Sequence, residues 1–173
     1  MTSRALSAVV LVLLAVSSAA TGQATQNPED VATLEGIIKA YYEVVSGPAG
    51  ENADRARDEF LHHPNALVAI TSVDADGKPT IVAMSIGEYH DRFGGPRSEG
   101  FYEFELQREV QRFGNITHVW STYAASVTPG GEPFTRGINS IQLYNDGERW
   151  WITSWIYDSE RAGNTIPAAY LPE

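Results

Sequence analysis

Cysteine is absent from the 173-residue sequence, and basic residues are scarce: 12 lysines and arginines stand against 22 aspartates and glutamates. A chain of this length can bury a sizeable hydrophobic core, so its fold needs no disulfide. The net charge of −10 and the lack of any basic run predict a surface that repels nucleic acids and anionic membranes. Nucleic-acid binding is therefore excluded as the function.

Motifs of common cofactor sites and catalytic centres are also missing. The sequence has no glycine-rich phosphate loop, no nucleophile elbow and no Ser-His-Asp order. The four histidines lack the spacing of metal ligands, and the adjacent His62 and His63 point in different directions. We therefore expect neither a metal site nor a cofactor. For the two adjacent histidines, which precede Pro64, we expect helix capping.

The N-terminal segment has the pattern of an export signal. A short basic region precedes residues 5–16, an apolar stretch shorter than the ~20 residues that a membrane-spanning helix needs. Small residues at the required spacing allow cleavage after Ala20 or after Ala24. We therefore predict a signal peptide over residues 1–24, a single domain over residues 25–173, and a secreted or periplasmic location.

Three helices are predicted in the first half of the domain. Apolar residues recur at every third or fourth position between the N-cap Asn27 and the helix-ending Gly47, which indicates one amphipathic helix. A shorter helix covers residues 52–61. The third begins at Ser85, where Glu88 has the spacing of a capping box.

Strands dominate the rest of the domain. Residues 66–84 form two strands around an Asp-Gly turn. Four further strands, separated by turn-forming segments, cover residues 101–113, 116–127, 134–145 and 148–160. Helices followed by a long antiparallel meander predict an α+β fold, in which a curved antiparallel sheet wraps around the N-terminal helices.

The last two strands contain three of the four tryptophans, and their register decides which side chains face the helices. A two-residue turn at Asp146 and Gly147 pairs Asn139 with Ser154. A one-residue error in the turn would exchange the two faces. The inner face then carries Trp150, Ile152 and Ser154. The outer face carries an aromatic set that indicates an interface with a partner chain, namely Trp151, Trp155 and Tyr157.

Two segments carry a resemblance to a known family: REVQRFGNITHVWSTYAA, residues 108–125, and RGINSIQLYNDGERWWITSWIYDSER, residues 136–161. Their amino-acid sequences and the order of helices and strands are similar to those of uncharacterised members of the nuclear transport factor 2-like superfamily. That superfamily includes SnoaL-like polyketide cyclases, ketosteroid isomerases and scytalone dehydratase. The resemblance covers residues 29–161. It implies a cystatin-like cone with a deep pocket between the sheet and the helices, and a homodimer through the outer face of the sheet.

The resemblance also implies where a reaction would take place. In the isomerases, a tyrosine of the first helix and two acids from strands form the site. Tyr41 or Tyr42 stands where that tyrosine does, whereas the final meander offers Asn139 and Ser154 where an inner acid is expected. The paired histidines of the dehydratase branch have no clear counterpart.

A pair of glutamates and one histidine are candidates for a general acid or base. Glu103 and Glu105 fall on one face of a strand, and alternation with Tyr102, Phe104 and Leu106, which are expected in the core, favours an outward orientation. A bulge would turn Glu105 inward, where an apolar cavity would raise its pKa. His118 is the second candidate, and a structural or interface role is its alternative.

A neutral polar set is expected on the inner face of the sheet. It forms either a satisfied hydrogen-bond network or a ligand-binding site, and consists of Tyr42, Ser121, Tyr123, Asn139 and Ser154. Three functions remain open. We favour an exported pocket protein that binds a small, largely apolar molecule. The alternatives are a cofactor-independent isomerase, dehydratase or cyclase with Glu105 or His118 as base, and a non-catalytic homodimer that mediates protein interactions.

Overall fold

The computed structural model describes residues 26–173. The predicted signal peptide lies outside the described residues. Among residues 26–173, no helix combines the length and the apolar character needed to cross a membrane.

Four helices form the first layer: α1 (Glu29–Ala32), α2 (Leu34–Val44), α3 (Arg55–Leu61) and α4 (Ile86–Phe93). The prediction of one continuous N-terminal helix was wrong, because Thr33 is extended and separates α1 from α2. Its side chain accepts a hydrogen bond from the backbone N–H of Gly36 and thereby caps α2. The predicted capping box at Ser85 and Glu88 is confirmed at the start of α4.

Six strands form the second layer: β1 (His62–Val73), β2 (Pro79–Ser85), β3 (Tyr102–Phe113), β4 (Ile116–Ser126), β5 (Thr135–Asn145) and β6 (Trp150–Ser159). They form one open sheet in the order β2-β1-β6-β5-β4-β3. Neighbouring strands are antiparallel except for β1 and β6, which are parallel. The predicted α+β fold is confirmed, with this one parallel pair as the difference.

The hydrophobic core lies between the inner face of the sheet and the helices. Ile37 and Ile38 of α2 are fully buried, because this helix turns its apolar face to the sheet. Val119, Ile141 and Ile152 meet them from β4, β5 and β6 and are equally inaccessible to solvent. Packing of this kind fixes the position of α2 over the strands that line the cavity described below.

The register of the last hairpin differs from the prediction in two ways. Its turn has four residues, so that Asn145 pairs with Trp150, and this leaves the inward orientation of Trp150 unchanged. A β-bulge at Thr153 then adds one residue to β6. Because side chains alternate along a strand, the bulge moves Ser154 out of the inner face and brings Trp155 and Tyr157 into it. The predicted faces of these three residues were therefore wrong.

The outer face of the sheet is covered in part by the C-terminal segment of the same chain. A 3-10 turn, Ala168–Tyr170, lies over β4, where the ring centroids of Tyr170 and Trp120 are 6.0 Å apart. The hydroxyl of Thr122 donates to the backbone oxygen of Tyr170 over 2.7 Å. Part of the surface that was expected to meet a partner chain is thus occupied by the chain itself.

Candidate functional site

A cavity of about 400 Å³ lies between the inner face of the sheet and the helices α2, α3 and α4. Its volume is within the range of small-molecule sites, which is ~300–1,000 Å³. Seven of its fifteen lining residues are aromatic: Tyr41, Tyr89, Phe93, Phe101, Tyr123, Trp155 and Tyr157. The charged residues that line it are Asp58, Arg97 and Glu103. The cavity is therefore an apolar space with few charged groups in its wall.

Glu103 enters the site from β3. It pairs with Ala125, and Glu105 pairs with Tyr123, so both carboxylates lie on the inner face together with Tyr123. The expectation that they point outward was wrong, because the inner face at this end of the sheet opens into a cavity that accommodates polar groups. The bulge considered from the sequence does occur, at Leu106, but it follows both glutamates.

The environment of Glu103 favours its neutral form. Burial raises the pKa of Glu103 from 4.5 to about 7, although a hydrogen bond from Asn139 and the charge of Arg97 act in the opposite direction. The side-chain amide of Asn139 donates to Oε1 of Glu103 over 3.3 Å. Glu103 lines the main cavity and also a smaller hollow of about 310 Å³ between α2 and β3. Glu103 is therefore a carboxyl group that changes charge near neutral pH next to ligand-accessible space.

A chain of hydrogen bonds connects Asn139 to Glu105. The amide of Asn139 also donates to the hydroxyl of Tyr42 over 3.3 Å, and that hydroxyl lies 2.6 Å from Oγ of Ser121. Ser121 donates to Glu105, so its oxygen accepts the proton of Tyr42. Arg108 closes the chain with an ion pair to Glu105 over 2.9 Å. Four of the residues predicted as site residues are thus brought together, and Glu105 ends the network without lining the main cavity.

Three tyrosine hydroxyls remain available for a ligand. Tyr41, Tyr89 and Tyr157 line the cavity, and their hydroxyls make no hydrogen bond within residues 26–173. Burial is the largest cause that raises the pKa of each, so all three remain protonated donors at neutral pH.

Tyr123, a further residue predicted for the inner face, also lines the cavity. Its hydroxyl is 3.0 Å from Oγ of Ser159. Gly137 on the neighbouring strand makes room for this contact, because a Cβ atom there would lie 2.6 Å from the tyrosine hydroxyl oxygen. Tyr123 is therefore held in place by a protein partner, unlike the three tyrosines with free hydroxyls.

A second buried cluster, centred on Asp58, was not found from the sequence. The indole N–H of Trp155 donates to Nε2 of His62 over 3.0 Å, so the proton of this ring is on Nδ1. Nδ1 of His62 is 2.8 Å from the backbone oxygen of Asp58 and 3.2 Å from its Oδ1, whereas Nε2 of His90 is 2.9 Å from Oδ2. Burial acts to raise the pKa of Asp58, but the contacts with the two histidines outweigh it and lower that pKa.

The predicted helix capping is confirmed for His62, because this residue is the C-cap of α3 and its ring contacts the backbone oxygen of Asp58. The i, i+4 spacing of Asp58 and His62 was the available signal for the cluster, because it places both side chains on one helix face. The contribution of His90 from α4 depends on tertiary packing.

Of the seven predicted site residues, Tyr123 and Asn139 line the main cavity, whereas His118 and Ser154 lie on the outer face of the sheet. His118 lies on the outer face of β4, where its Nε2 is 3.0 Å from Oγ of Ser140 and it contributes to a shallow groove with Trp120. Ser154 lies opposite Gln142, a residue of the outer face. Among the described residues, no group of three or more histidine, aspartate or glutamate side chains is arranged to hold a metal ion.

Comparisons with known proteins find similarity in fold. No protein-family model matches the sequence, and no curated protein matches it. A candidate ketosteroid isomerase from Parabacteroides distasonis has 13% identity and a TM-score of 0.50, over 73% of this chain and 87% of the other. A protein of unknown function with a cystatin-like fold from Nostoc punctiforme has 10% identity and a TM-score of 0.50, over 73% and 90%.

A third solved structure is the beta subunit of a candidate aromatic-ring-hydroxylating dioxygenase from Novosphingobium aromaticivorans. It has 15% identity and a TM-score of 0.51, over 72% of this chain and 87% of the other. At such low identities the similarity shows the fold alone, which is the cystatin-like cone. Proteins with this fold thus include a subunit of a larger assembly.

Proposed function

We propose that this chain, which has the cone fold of the nuclear transport factor 2-like superfamily, binds a small, largely apolar molecule and exchanges a proton with it through Glu103. The reaction class is that of cofactor-independent isomerases, dehydratases and cyclases. The supporting observation is that the carboxyl group of Glu103 lies in the wall of an aromatic cavity, where burial raises its pKa to about 7. A group that titrates near neutral pH can accept a proton in one step and return it in the next.

The proton-transfer step requires a partner for the charge that develops on the substrate. The carboxylate of Glu103 takes a proton from a carbon next to a carbonyl group, and the C–H electron pair moves so that negative charge forms on the carbonyl oxygen. Hydroxyls of Tyr41, Tyr89 or Tyr157 are free to donate to that oxygen. Donors that are already oriented in an apolar space stabilise such a charge more strongly than water does.

Binding without a reaction is the second candidate function. The observation that favours it concerns Asp58, the other carboxylate of the cavity wall. Both carboxylate oxygens of Asp58 are within 3.2 Å of histidine nitrogens. Glu103 is therefore the one carboxyl group of the described cavity wall without a histidine contact, and no second free carboxylate assists it. A site with one proton-transfer group and three neutral donors also suits a protein that only holds its ligand.

Deuterium exchange separates the two candidates. The probe is 2-tetralone, an apolar bicyclic ketone with acidic C–H groups, incubated with the protein in D₂O and followed by NMR. We expect exchange faster than in buffer, with a rate that rises through about pH 7 as Glu103 ionises. Glu103→Gln abolishes the acceleration, whereas the exposed Glu109→Gln on the same strand retains it.

The outcomes of this experiment have different meanings. Binding of the ketone without any acceleration of exchange supports the binding protein and contradicts the enzyme. Neither binding nor exchange contradicts both. Acceleration that persists in Glu103→Gln contradicts the assigned role of this residue.

Export and assembly are further parts of the proposal. We propose that residues 1–24 are removed on export, which N-terminal sequencing of protein isolated from its host tests. We also propose a homodimer through the outer face of the sheet, supported by the beta subunit among the structures of the same fold. Trp151 remains available for such an interface, whereas Trp155 and Tyr157 belong to the cavity wall. A monomeric mass in native mass spectrometry at micromolar concentration contradicts the dimer.

A further inference from the structure

We propose that Arg97 binds an anionic oxygen group of the ligand, so that the substrate class of this cavity is a small aromatic or alicyclic carboxylate. This inference rests on the proposed function, since it concerns the same cavity. It adds a polar anchor that the apolar wall and Glu103 do not provide.

Arg97 is the one basic residue in the described cavity wall, and it forms no ion pair there, although its charge acts on the nearby carboxyl group of Glu103. The wall contains the carboxyl groups of Asp58 and Glu103 but no lysine and no second arginine. The ion pairs within residues 26–173 use other arginines and lysines, and none includes Arg97. In a chain of net charge −10, a cation without an acidic partner beside an apolar cavity is a binding group for an anion.

The backbone around Arg97 is fixed in position. Gly47 and Phe101 exchange two backbone hydrogen bonds of 2.8 and 2.9 Å, and the N–H of Gly50 donates to the backbone oxygen of Arg97 over 2.9 Å. The loop that carries Arg97 is thus joined to the segment that follows α2. A side chain on such a support loses little conformational freedom when a ligand binds.

The guanidinium group itself is oriented but mostly unused. Its Nη1 donates to the backbone oxygen of Val45, the residue that ends α2, over 2.8 Å. Its central carbon lies 4.4 Å from the ring centroid of Phe101, so the ring and the helix end fix the plane of the group. A guanidinium has five N–H donors, and this contact takes one. The remaining donors can form the paired hydrogen bonds that a carboxylate accepts.

The simpler explanation is that Arg97 only caps the C-terminal end of α2. A capping role predicts a loss of stability on substitution and no effect on ligand discrimination. The position of Arg97 in the cavity wall, against the ring of Phe101, is the feature that capping leaves unexplained. The aromatic wall then receives the body of the ligand while the arginine receives its charge.

A matched pair of probes tests the inference: 2-naphthoate and its neutral isostere naphthalene-2-carboxamide, titrated by calorimetry near pH 6, where the acid stays ionised. Glu103 is largely protonated there, which limits repulsion of the anion. We expect the wild-type protein to prefer the acid on the order of ten- to a hundredfold, the range of a charge-assisted contact. Arg97→Gln removes the preference, whereas Arg92→Gln, an exposed change of the same charge outside the cavity wall, retains it.

Each result decides between the two proposals. Equal binding of acid and amide, or a preference that survives Arg97→Gln, overturns the role of Arg97, and exchange that depends on Glu103 leaves the proposed function standing. A preference that depends on Arg97, together with exchange that does not depend on Glu103, supports the anion site and contradicts the reaction. Failure of both probes to bind overturns the role of Arg97, and the proposed function is then decided by the 2-tetralone exchange. If Arg97→Gln does not fold, Arg97→Lys keeps the charge without the planar fork, and the preference is then expected to fall without vanishing.

Discussion

Asp58 and Glu103 line the same cavity, yet their pKa values are displaced in opposite directions. Burial raises the pKa of Glu103 to about 7, because one amide hydrogen bond and the charge of Arg97 compensate only part of the cost of ionisation. Asp58 is buried as well, but contacts with His62 and His90 outweigh burial and lower its pKa. The two carboxyl groups therefore differ in protonation at neutral pH: Asp58 keeps its charge, and Glu103 exchanges a proton.

The stability of the protein should depend on pH through Glu103. Its folded-state pKa of about 7 exceeds the ordinary 4.5, so the folded chain holds the proton more tightly than the unfolded chain does. The contribution of Glu103 to the free energy of unfolding therefore falls by ~3 kcal/mol as the pH rises from 4.5 to 7. Urea denaturation across this range should show the decline in wild-type protein and in Glu109→Gln but not in Glu103→Gln. Parallel curves for wild type and Glu103→Gln would contradict the raised pKa.

Asn139 should hold the pKa of Glu103 below the value that burial alone would give. Its amide hydrogen bond favours the ionised carboxyl, so Asn139→Leu should raise the pKa above about 7. NMR titration of ¹³C-labelled glutamate side chains measures this shift. Ser140→Ala, the neighbouring residue with the opposite orientation on β5, is the control and should leave the titration unchanged. An unchanged pKa in Asn139→Leu would show that the hydrogen bond has no effect.

Tyr41 and Tyr42 are adjacent in α2 but should respond differently to the loss of a hydroxyl group. Tyr42→Phe removes a hydroxyl bonded to Ser121 and Asn139 and should lower the free energy of unfolding by ~1–2 kcal/mol. Tyr41→Phe removes a hydroxyl without a protein partner and should change it by less than ~0.5 kcal/mol. In the 2-tetralone assay the order reverses, with the larger loss in Tyr41→Phe. Equal stability losses would show that the network is not formed.

Asp58 should be the most sensitive of the buried charges. Asp58→Asn leaves His62 and His90 without their charged acceptor and should reduce the free energy of unfolding by ~3 kcal/mol. Asp91→Asn removes an exposed ion pair with Arg55 and should cost far less stability than Asp58→Asn. Urea titrations monitored by tryptophan fluorescence give both values. Similar small losses in the two variants would contradict the buried histidine contacts.

Local sequence rules predicted the helices and strands better than the face of the sheet on which each side chain lies. The capping box of Ser85 and Glu88 marks the start of a helix by itself, and the strand boundaries follow from their turns. The break at Thr33 was missed because the apolar spacing continues across it, and only the backbone conformation of the threonine ends α1.

The site depends on contacts that a sequence pattern does not contain. Ser121 and Asn139 were expected on the inner face because alternation holds within β4 and β5, and the structure joins them to Tyr42 of α2 in one network. Glu103 was assigned to the wrong face because its apolar neighbours Phe104 and Leu106 were assigned to the core, whereas the cavity at this end of the sheet accommodates the carboxyl group. His90 reaches Asp58 from a separate helix, so their contact exists only after the domain has folded.

One unpaired residue in β6, Thr153, decides which side chains of this strand face the cavity. If Thr153 paired with Gln142 and the bulge were lost, every later residue of β6 would shift by one position. Ser154 would then face the interior and Trp155 and Tyr157 would leave it, although no cavity residue had been substituted. The same seven side chains that follow Ile152 in β6 thus encode two different pockets, an aromatic one and a hydroxyl-lined one. The ligand preference of related chains can therefore be altered by the register of this strand as readily as by residue identity.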